Sequence, residues 1–262
     1  MVHEEFVKNA ALVLRQDSSV IGLAVAGSWI SNEIDEFSDI DLILVTKEKV
    51  TDNKSTMLDF AARLGKLLSG FTGEHVGEPR LLICLYDNPL LHVDIKFVTL
   101  QELHSRVETP VIIFDTDEQL QNAINETTAA FPYPDYQWIE DRFWIWVHYA
   151  LLKIGRGEYT EAFDFLGFLR MTVLGPLLHI KNGNLPKSVR KVETQLSSTD
   201  FELLRATLPT YSRTELLVSL RHSLSLYQHL RDALFSEDIT LQSATEERVM
   251  QYFDEIERRN DS

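Results

Sequence analysis

Two aspartates separated by one residue, Asp39 and Asp41, stand at the mouth of the apolar run "DIDLILVT". On a strand, residues two apart face the same side, so these carboxylates project together while Ile40, Leu42 and Leu44 point the other way into a core. Adjacent carboxylates repel unless something neutralises them. A divalent cation does this well: Mg²⁺ prefers oxygen and is commonly held by one or two carboxylates plus substrate phosphates. A bare Asp-x-Asp is also an ordinary solubilising feature of a strand entrance. The residues ahead of it sharpen the choice. Gly27-Ser28 closes the preceding run "VIGLAVAG". Glycine there lets the backbone approach a ligand closely, and the serine hydroxyl with the N–H groups that follow can cradle phosphate oxygens.

A third carboxylate fits the same chemistry. In "LLHVDIKFVT", His92, Asp94 and Lys96 share one strand face, with Leu91, Val93, Ile95 and Phe97 opposite. An aspartate amid apolar strand residues is costly to bury unpaired. A salt bridge to a local Lys or Arg would satisfy it. If the strand lies beside "DIDLILVT", Asp94 instead joins Asp39 and Asp41, where it can bind a second metal or take a proton from an attacking hydroxyl. A phosphate grip and a metal grip about ten residues apart suit a nucleoside triphosphate.

The elements that must position these residues can be read from periodicity. "EEFVKNAALVLRQD" has helical spacing, with Phe6, Ala10, Val13 and Leu14 to one side. "VIGLAVAG" and "DIDLILVT" read as strands. "STMLDFAARLGKLLSG" reads as one helix, from an N-cap at Ser55 to a stop at Gly70. "RLLICLYD" and "LLHVDIKFVT" are strands joined through the turn signal "NPL". "VIIFDT" adds a strand and "EQLQNAINET" a helix. From about residue 135 strand signals vanish. "PDYQWIEDRFWIWVHYALLKIGRGEYTEAFDFLGFLRMTVLGPLLHI" reads as two long helices broken at "GRGE", and residues 212–235 and 243–259 as two more. Two prolines in "FPYPDY" mark a boundary. The expected organisation is α+β: an N-terminal domain over 1–132 and an all-α helical bundle over 133–262.

Bulk properties narrow the partners. Among 262 residues, 25 Lys and Arg stand against 40 Asp and Glu, a formal net charge of −15. Phosphate-backbone binding needs clustered basic residues, so nucleic acid is a poor partner. A cationic small molecule is compatible with that charge, and so is plain solubility. The start "MVHEEFVKNA" lacks the basic-then-apolar pattern of a signal peptide, and no apolar run approaches a membrane span. The single cysteine, Cys84, has no partner for a disulfide or a cysteine zinc site. The expectation is a cytoplasmic chain with no membrane association. The aromatics Trp138, Phe143, Trp144, Trp146 and Tyr149 read as core, some of them as lining for an acceptor pocket. Glu140 and Asp141 read as surface charge, and His222 and His229 as structural.

In order and spacing, Gly27-Ser28, the loop "WISNEIDEFS", Asp39-Ile40-Asp41 and Asp94 resemble the nucleotidyltransferases of the DNA polymerase β superfamily. They look most like the small bacterial adenylyltransferases that modify aminoglycoside and lincosamide antibiotics. Trp29 after the Gly-Ser and Ser38 before Asp39 also match. The resemblance covers mainly residues 20–98. It implies a small mixed-sheet nucleotidyltransferase domain with flanking helices, followed by the helical domain. It also implies Mg²⁺ and ATP, or another nucleoside triphosphate, as cofactor and co-substrate, with Asp39, Asp41 and Asp94 as the metal and catalytic set. Gly27, Ser28 and Ser38 would serve the nucleotide. The acceptor implied is a small hydroxylated molecule. Relatives often place a lysine on the first helix after the boundary against the triphosphate. Lys153 is the nearest candidate, with Arg156 and Arg190 as rivals. Ser31-Asn32 stands where family members often carry Arg-Gly, and Asn tolerates the positive φ such a turn needs. A non-enzymatic, antitoxin-like protein on the same fold, an enzyme that nucleotidylates a protein, and a homodimer all stay open at this point.

Overall fold

In the first 100 residues the apolar alternation alone is enough to build a sheet. Leu23, Leu42, Leu44, Leu82, Val93, Ile95 and Phe97 are all buried to within 1%, and each lies on one face of a strand. The computed structural model describes residues 1–259. The chain divides into two compact units, Met1–Phe131 and Pro132–Ser262. The last three residues of the expected C-terminal domain, 260–262, lie outside the described residues.

The first unit carries helix α1 (Val2–Leu14), strands β1 (Val20–Val25) and β2 (Ile40–Thr46), helix α2 (Lys54–Ala62), strands β3 (Lys66–Gly73), β4 (Glu78–Asp87) and β5 (Leu91–Val98), helix α3 (Leu100–Leu103), strand β6 (Val111–Asp115) and helix α4 (Gln119–Glu126). The sheet order is β3-β4-β5-β2-β1-β6. Neighbours run antiparallel except β2 and β5, which are parallel. On one face, Val7, Ala10 and Leu14 of α1 and Met57, Phe60 and Ala61 of α2 close over the larger core. On the other, Leu103 of α3 and Leu120, Ala123 and Ile124 of α4 pack with Ile21, Val45 and Val98, and Ile43, Leu100 and Ile112 lie partly buried against them. On this face Asp41 and Asp94 line a cavity together with Glu102 and Leu103 of α3. Gly22 lets α4 approach β1: a Cβ there would sit 2.7 Å from Phe114 O and 2.8 Å from Leu120 methyls.

One sequence expectation fails here. The predicted helix over residues 55–70 ends at Ala62, and its second half is the edge strand β3. Its N-cap is Asn53, whose side chain accepts from Ser55 N–H at 3.0 Å, so Ser55 is the second helical residue. Tyr86 of β4 donates its hydroxyl to Ala61 O at 2.8 Å, satisfying a carbonyl at the helix end. Gly70 lies mid-strand, where a Cβ would meet Leu58 Cδ2 at 2.9 Å. It is a packing glycine, not a helix stop.

The second unit is all-helical: α5 (Tyr136–Gly155), α6 (Tyr159–Leu169), a π-turn (Arg170–Leu174), α7 (Gly175–Lys181), α8 (Val192–Gln195), α9 (Ser198–Arg205), α10 (Arg213–Leu234) and α11 (Ser243–Arg258). The stretch Tyr159–Lys181 is, by length and composition, long and apolar enough to cross a membrane, contrary to the expectation of no such run. Half of its most apolar window is buried inside the fold, as in a core helix. Phe143 and Trp144 are core, whereas Trp138 and Tyr149 are 41% and 37% exposed.

Glu140 is corrected from surface charge to a fully buried carboxylate. Its Oε2 accepts from the Tyr227 hydroxyl, and its Oε1 accepts from Gln242 N–H at 2.9 Å and lies 3.7 Å from Arg231 Nη1. Arg231 also pairs with Glu246 at 2.6 Å. This network joins α5, α10 and α11. Removing one member leaves buried polar groups without partners, which costs about 3–5 kcal/mol. Glu140→Ala is expected to lower the unfolding free energy measured by urea titration by that amount, whereas Asp141→Ala, at the surface, changes it by less than about 0.5 kcal/mol.

Candidate active site

The site begins with strand register. Asp41 pairs with Asp94 across the parallel β2–β5 ladder, between Ile40 opposite Val93 and Leu42 opposite Ile95. Because both strands alternate in phase, burying Ile40, Leu42, Val93 and Ile95 forces both carboxylates to the opposite face. Asp39 stands one residue before β2, close enough for its charge to act on Asp94. The pKa of the Asp94 carboxyl is raised from its ordinary value. Burial is the largest cause. The His92 ring pulls it down, through charge and a hydrogen bond at 3.0 Å, and the Asp39 charge pushes it up again.

Gly27 of the Gly27-Ser28 turn sits directly against Asp41. Gly27–Trp29 forms a single 3₁₀ turn after β1. Gly27 has φ +62, and a Cβ on it would overlap Asp41 Oδ2 and lie 3.0 Å from Asp41 Cγ. No residue but glycine fits both the backbone angle and that approach. Trp29 packs against the larger core and pins the turn. Asn32 takes φ 55, the left-handed conformation that Asn adopts more readily than most residues. Ser38 is engaged within the loop: its hydroxyl accepts from Asp35 N–H and donates to Asp35 Oδ1, both at 3.0 Å, and its carbonyl accepts from His3 Nε2 of α1 at 2.9 Å.

Asp41, Asp94 and Gly27 thus meet at one end of the β1–β2–β5 face, with Asp39 and Ser28 beside them in sequence. Among the described residues no group of three or more His, Cys, Asp or Glu is arranged to hold a metal ion. Asp41 turns toward Gly27 and Asp94 toward His92. Lys153 lies in the second unit near the end of α5. There it pairs with Glu158 at 2.7 Å and Glu161 at 3.0 Å, and these hydrogen bonds raise its pKa. Arg156 lies 3.9 Å from Glu158, and Arg190 is exposed.

A cavity of about 160 Å³ adjoins the carboxylates, lined by Asp41 and Asp94 and, further along, by Lys96, Glu102, Arg106 and Glu108. Sequence reading missed the last three. They lie on α3 and the segment after it, where no spacing motif links them to β1 or β2. Lys96 is fixed by Glu78 at 2.8 Å, and Glu78 also receives the Arg80 guanidinium at 2.8 Å from each of its oxygens. The Arg80 hydrogen bonds, the largest cause, hold the Glu78 carboxyl down to about 2 against burial, with Lys96 adding to them. A depressed carboxyl contributes stability that is present above its unfolded pKa and lost as pH falls toward the folded one. Glu78→Gln is therefore expected to lower the melting temperature at pH 7 and to flatten its fall between pH 4.5 and 2, followed by thermal denaturation across that range.

Several solved structures are similar to this chain. An aminoglycoside 6-adenyltransferase from Bacillus subtilis is 15% identical, with 98% of each chain covered and a TM-score of 0.40. A nucleotidyltransferase-like protein from Exiguobacterium sibiricum is 12% identical, covering 97% of this chain and 89% of its own, at TM-score 0.35. A spectinomycin adenyltransferase from Enterococcus faecialis, solved with ATP and spectinomycin, is 13% identical over 98% and 99% of the two chains, at TM-score 0.32. No family model matches the chain, and no curated protein matches its sequence.

Proposed function

We propose that the chain is a nucleotidyltransferase that moves AMP from ATP to a hydroxyl of a small-molecule acceptor. The observation that carries this reading is the parallel pairing of Asp41 with Asp94, with Asp39 and Gly27 against the same pair. Two carboxylates with hard oxygen donors beside a phosphate-binding turn fit Mg²⁺, which needs no third protein ligand when phosphates complete its shell. Asp39 and Asp41 would hold it, and its charge would offset that of the triphosphate. Gly27 and Ser28 would bind the outer phosphates through backbone N–H groups and the serine hydroxyl. Asp94 would accept the proton of the acceptor hydroxyl. Its place opposite Asp41 puts it within reach of a hydroxyl brought to the metal. The hydroxyl oxygen forms a bond to the α-phosphorus, the bond from that phosphorus to the bridging oxygen breaks, and pyrophosphate leaves. The rest of the rate comes from positioning.

The cavity's four carboxylates, Asp41, Asp94, Glu102 and Glu108, outnumber its two cations, Lys96 and Arg106. That balance favours a cationic acceptor, an aminosugar for example. Ligand sites usually span about 300–1,000 Å³, so the cavity would take only the reacting portion of such a molecule. The test is incubation with Mg²⁺ and α-labelled ATP across a panel of aminated and neutral polyols. Label transferred to an aminated acceptor, with matching pyrophosphate, supports the reading. ATP bound without turnover on any acceptor, alongside a tight protein partner, would favour a regulatory protein instead.

A further inference from the structure

The Gly27 N–H already carries an anionic oxygen. It donates to Glu108 Oε1 at 2.9 Å, across 81 residues of sequence. Hydrogen bonds to a carboxylate are roughly twice as strong as neutral ones, so this is a substantial contact at the very donor a phosphate would use. Its surroundings fix it in place. Arg106, two residues earlier, donates Nη1 to Thr127 Oγ1 at 2.6 Å and Nη2 to the carbonyls of Ile124 at 2.8 Å and Thr127 at 2.5 Å. Its own carbonyl accepts from Ala130 N–H at 3.0 Å. The strap from Ser105 to Glu108 is thereby tied to the end of α4, and Glu108 is delivered over the turn.

We propose that Glu108 is an internal stand-in for the nucleotide's phosphate. It holds the Gly27 turn in its anion-binding shape and must leave the amide before a triphosphate can occupy it. This rests on Gly27-Ser28 being the phosphate grip of the proposed nucleotidyltransferase. Glu108 also lines the cavity beside Asp41 and Asp94, which gives the displaced carboxylate a polar space to enter. Nucleotide binding and the charge of the cavity are then linked through one side chain.

Two variants separate displacement from simple charge. Glu108→Ala removes both the charge and the contact. Glu108→Asp keeps the charge but is one methylene too short to reach Gly27. Titration calorimetry with the Mg²⁺ complex of α,β-methylene-ATP is expected to show both variants binding about tenfold more tightly than the unaltered chain. In a ¹⁵N-glycine-labelled sample, the Gly27 amide resonance is expected to move in Glu108→Asp before any ligand is added. If the unaltered chain binds the nucleotide and Glu108→Asp binds it equally or more weakly, the stand-in is overturned while the nucleotidyltransferase reading survives. An unmoved Gly27 resonance overturns it as well. If no version of the chain binds the nucleotide, both fall together.

Discussion

Asp94→Asn is expected to abolish nucleotidyl transfer while leaving the fold as stable as before, or more so. The two effects have opposite signs because one carboxylate does both jobs. Asp94 stands beside Asp41 in the ladder, and Asp39 bears on it electrostatically. Its burial already disfavours the charged form. The amide removes that repulsion, keeps the shape, and still offers an oxygen to the His92 ring. Stability therefore has nothing to lose. The reaction loses its proton acceptor, worth about 10²–10⁴ in rate. Asp41→Asn should behave alike in activity, since on the proposed reading it removes an oxygen that would hold the divalent ion. Single-turnover transfer from α-labelled ATP, set beside the melting temperature of each variant, checks both halves. Transfer within tenfold of the unaltered chain in either variant would remove the assignment.

Gly27→Ala is expected to be the most damaging single methyl in the first unit. The left-handed backbone costs a non-glycine residue about 1–2 kcal/mol. The methyl also falls on the Asp41 carboxylate, whose Cγ and Cβ lie behind it at 3.0 and 3.6 Å. Asp41 must move, and a displacement of about 1 Å at a reacting centre can cost about 10²-fold. Gly77→Ala is the control. Gly77 has φ +76 as well, but a Cβ there meets nothing within 4 Å. Gly77→Ala should lose only the backbone cost in stability and keep its activity, whereas Gly27→Ala should lose more stability and most of its activity. Equal activity in the two would mean that the close approach to Asp41 is without consequence.

Much of the site was legible because strand alternation is a local property. "SDIDLILV" and "LLHVDIKFV" each announce which face is buried, so the facing of Asp41 and Asp94 followed once the strands paired in parallel. That they pair at all is a long-range fact, suggested by the resemblance rather than by periodicity. The edge strand β3 was misread because Leu64, Leu67 and Leu68 continue a helical stripe. Only the partner β4, with Gly70 seated against Leu58, turns the stretch from Lys66 onward into a strand. Glu140 was misread for a related reason: a charged residue in a helix reads as solvated until Tyr227 and Arg231 arrive from α10. Glu108 left no mark in the sequence, since its partner Gly27 lies 81 residues away.

The in-phase alternation of β2 and β5 also makes the site an inspector of its own assembly. If β5 slipped by one residue, Asp94 would turn into the layer of Leu42 and Leu44, and Val93 or Ile95 would emerge beside Asp41. The misaligned sheet would bury a charge and expose an aliphatic side chain in one stroke. A chain paired in the wrong register would therefore be too unstable to persist as a folded but idle population. Among intact molecules, being folded and having the two aspartates side by side become the same condition.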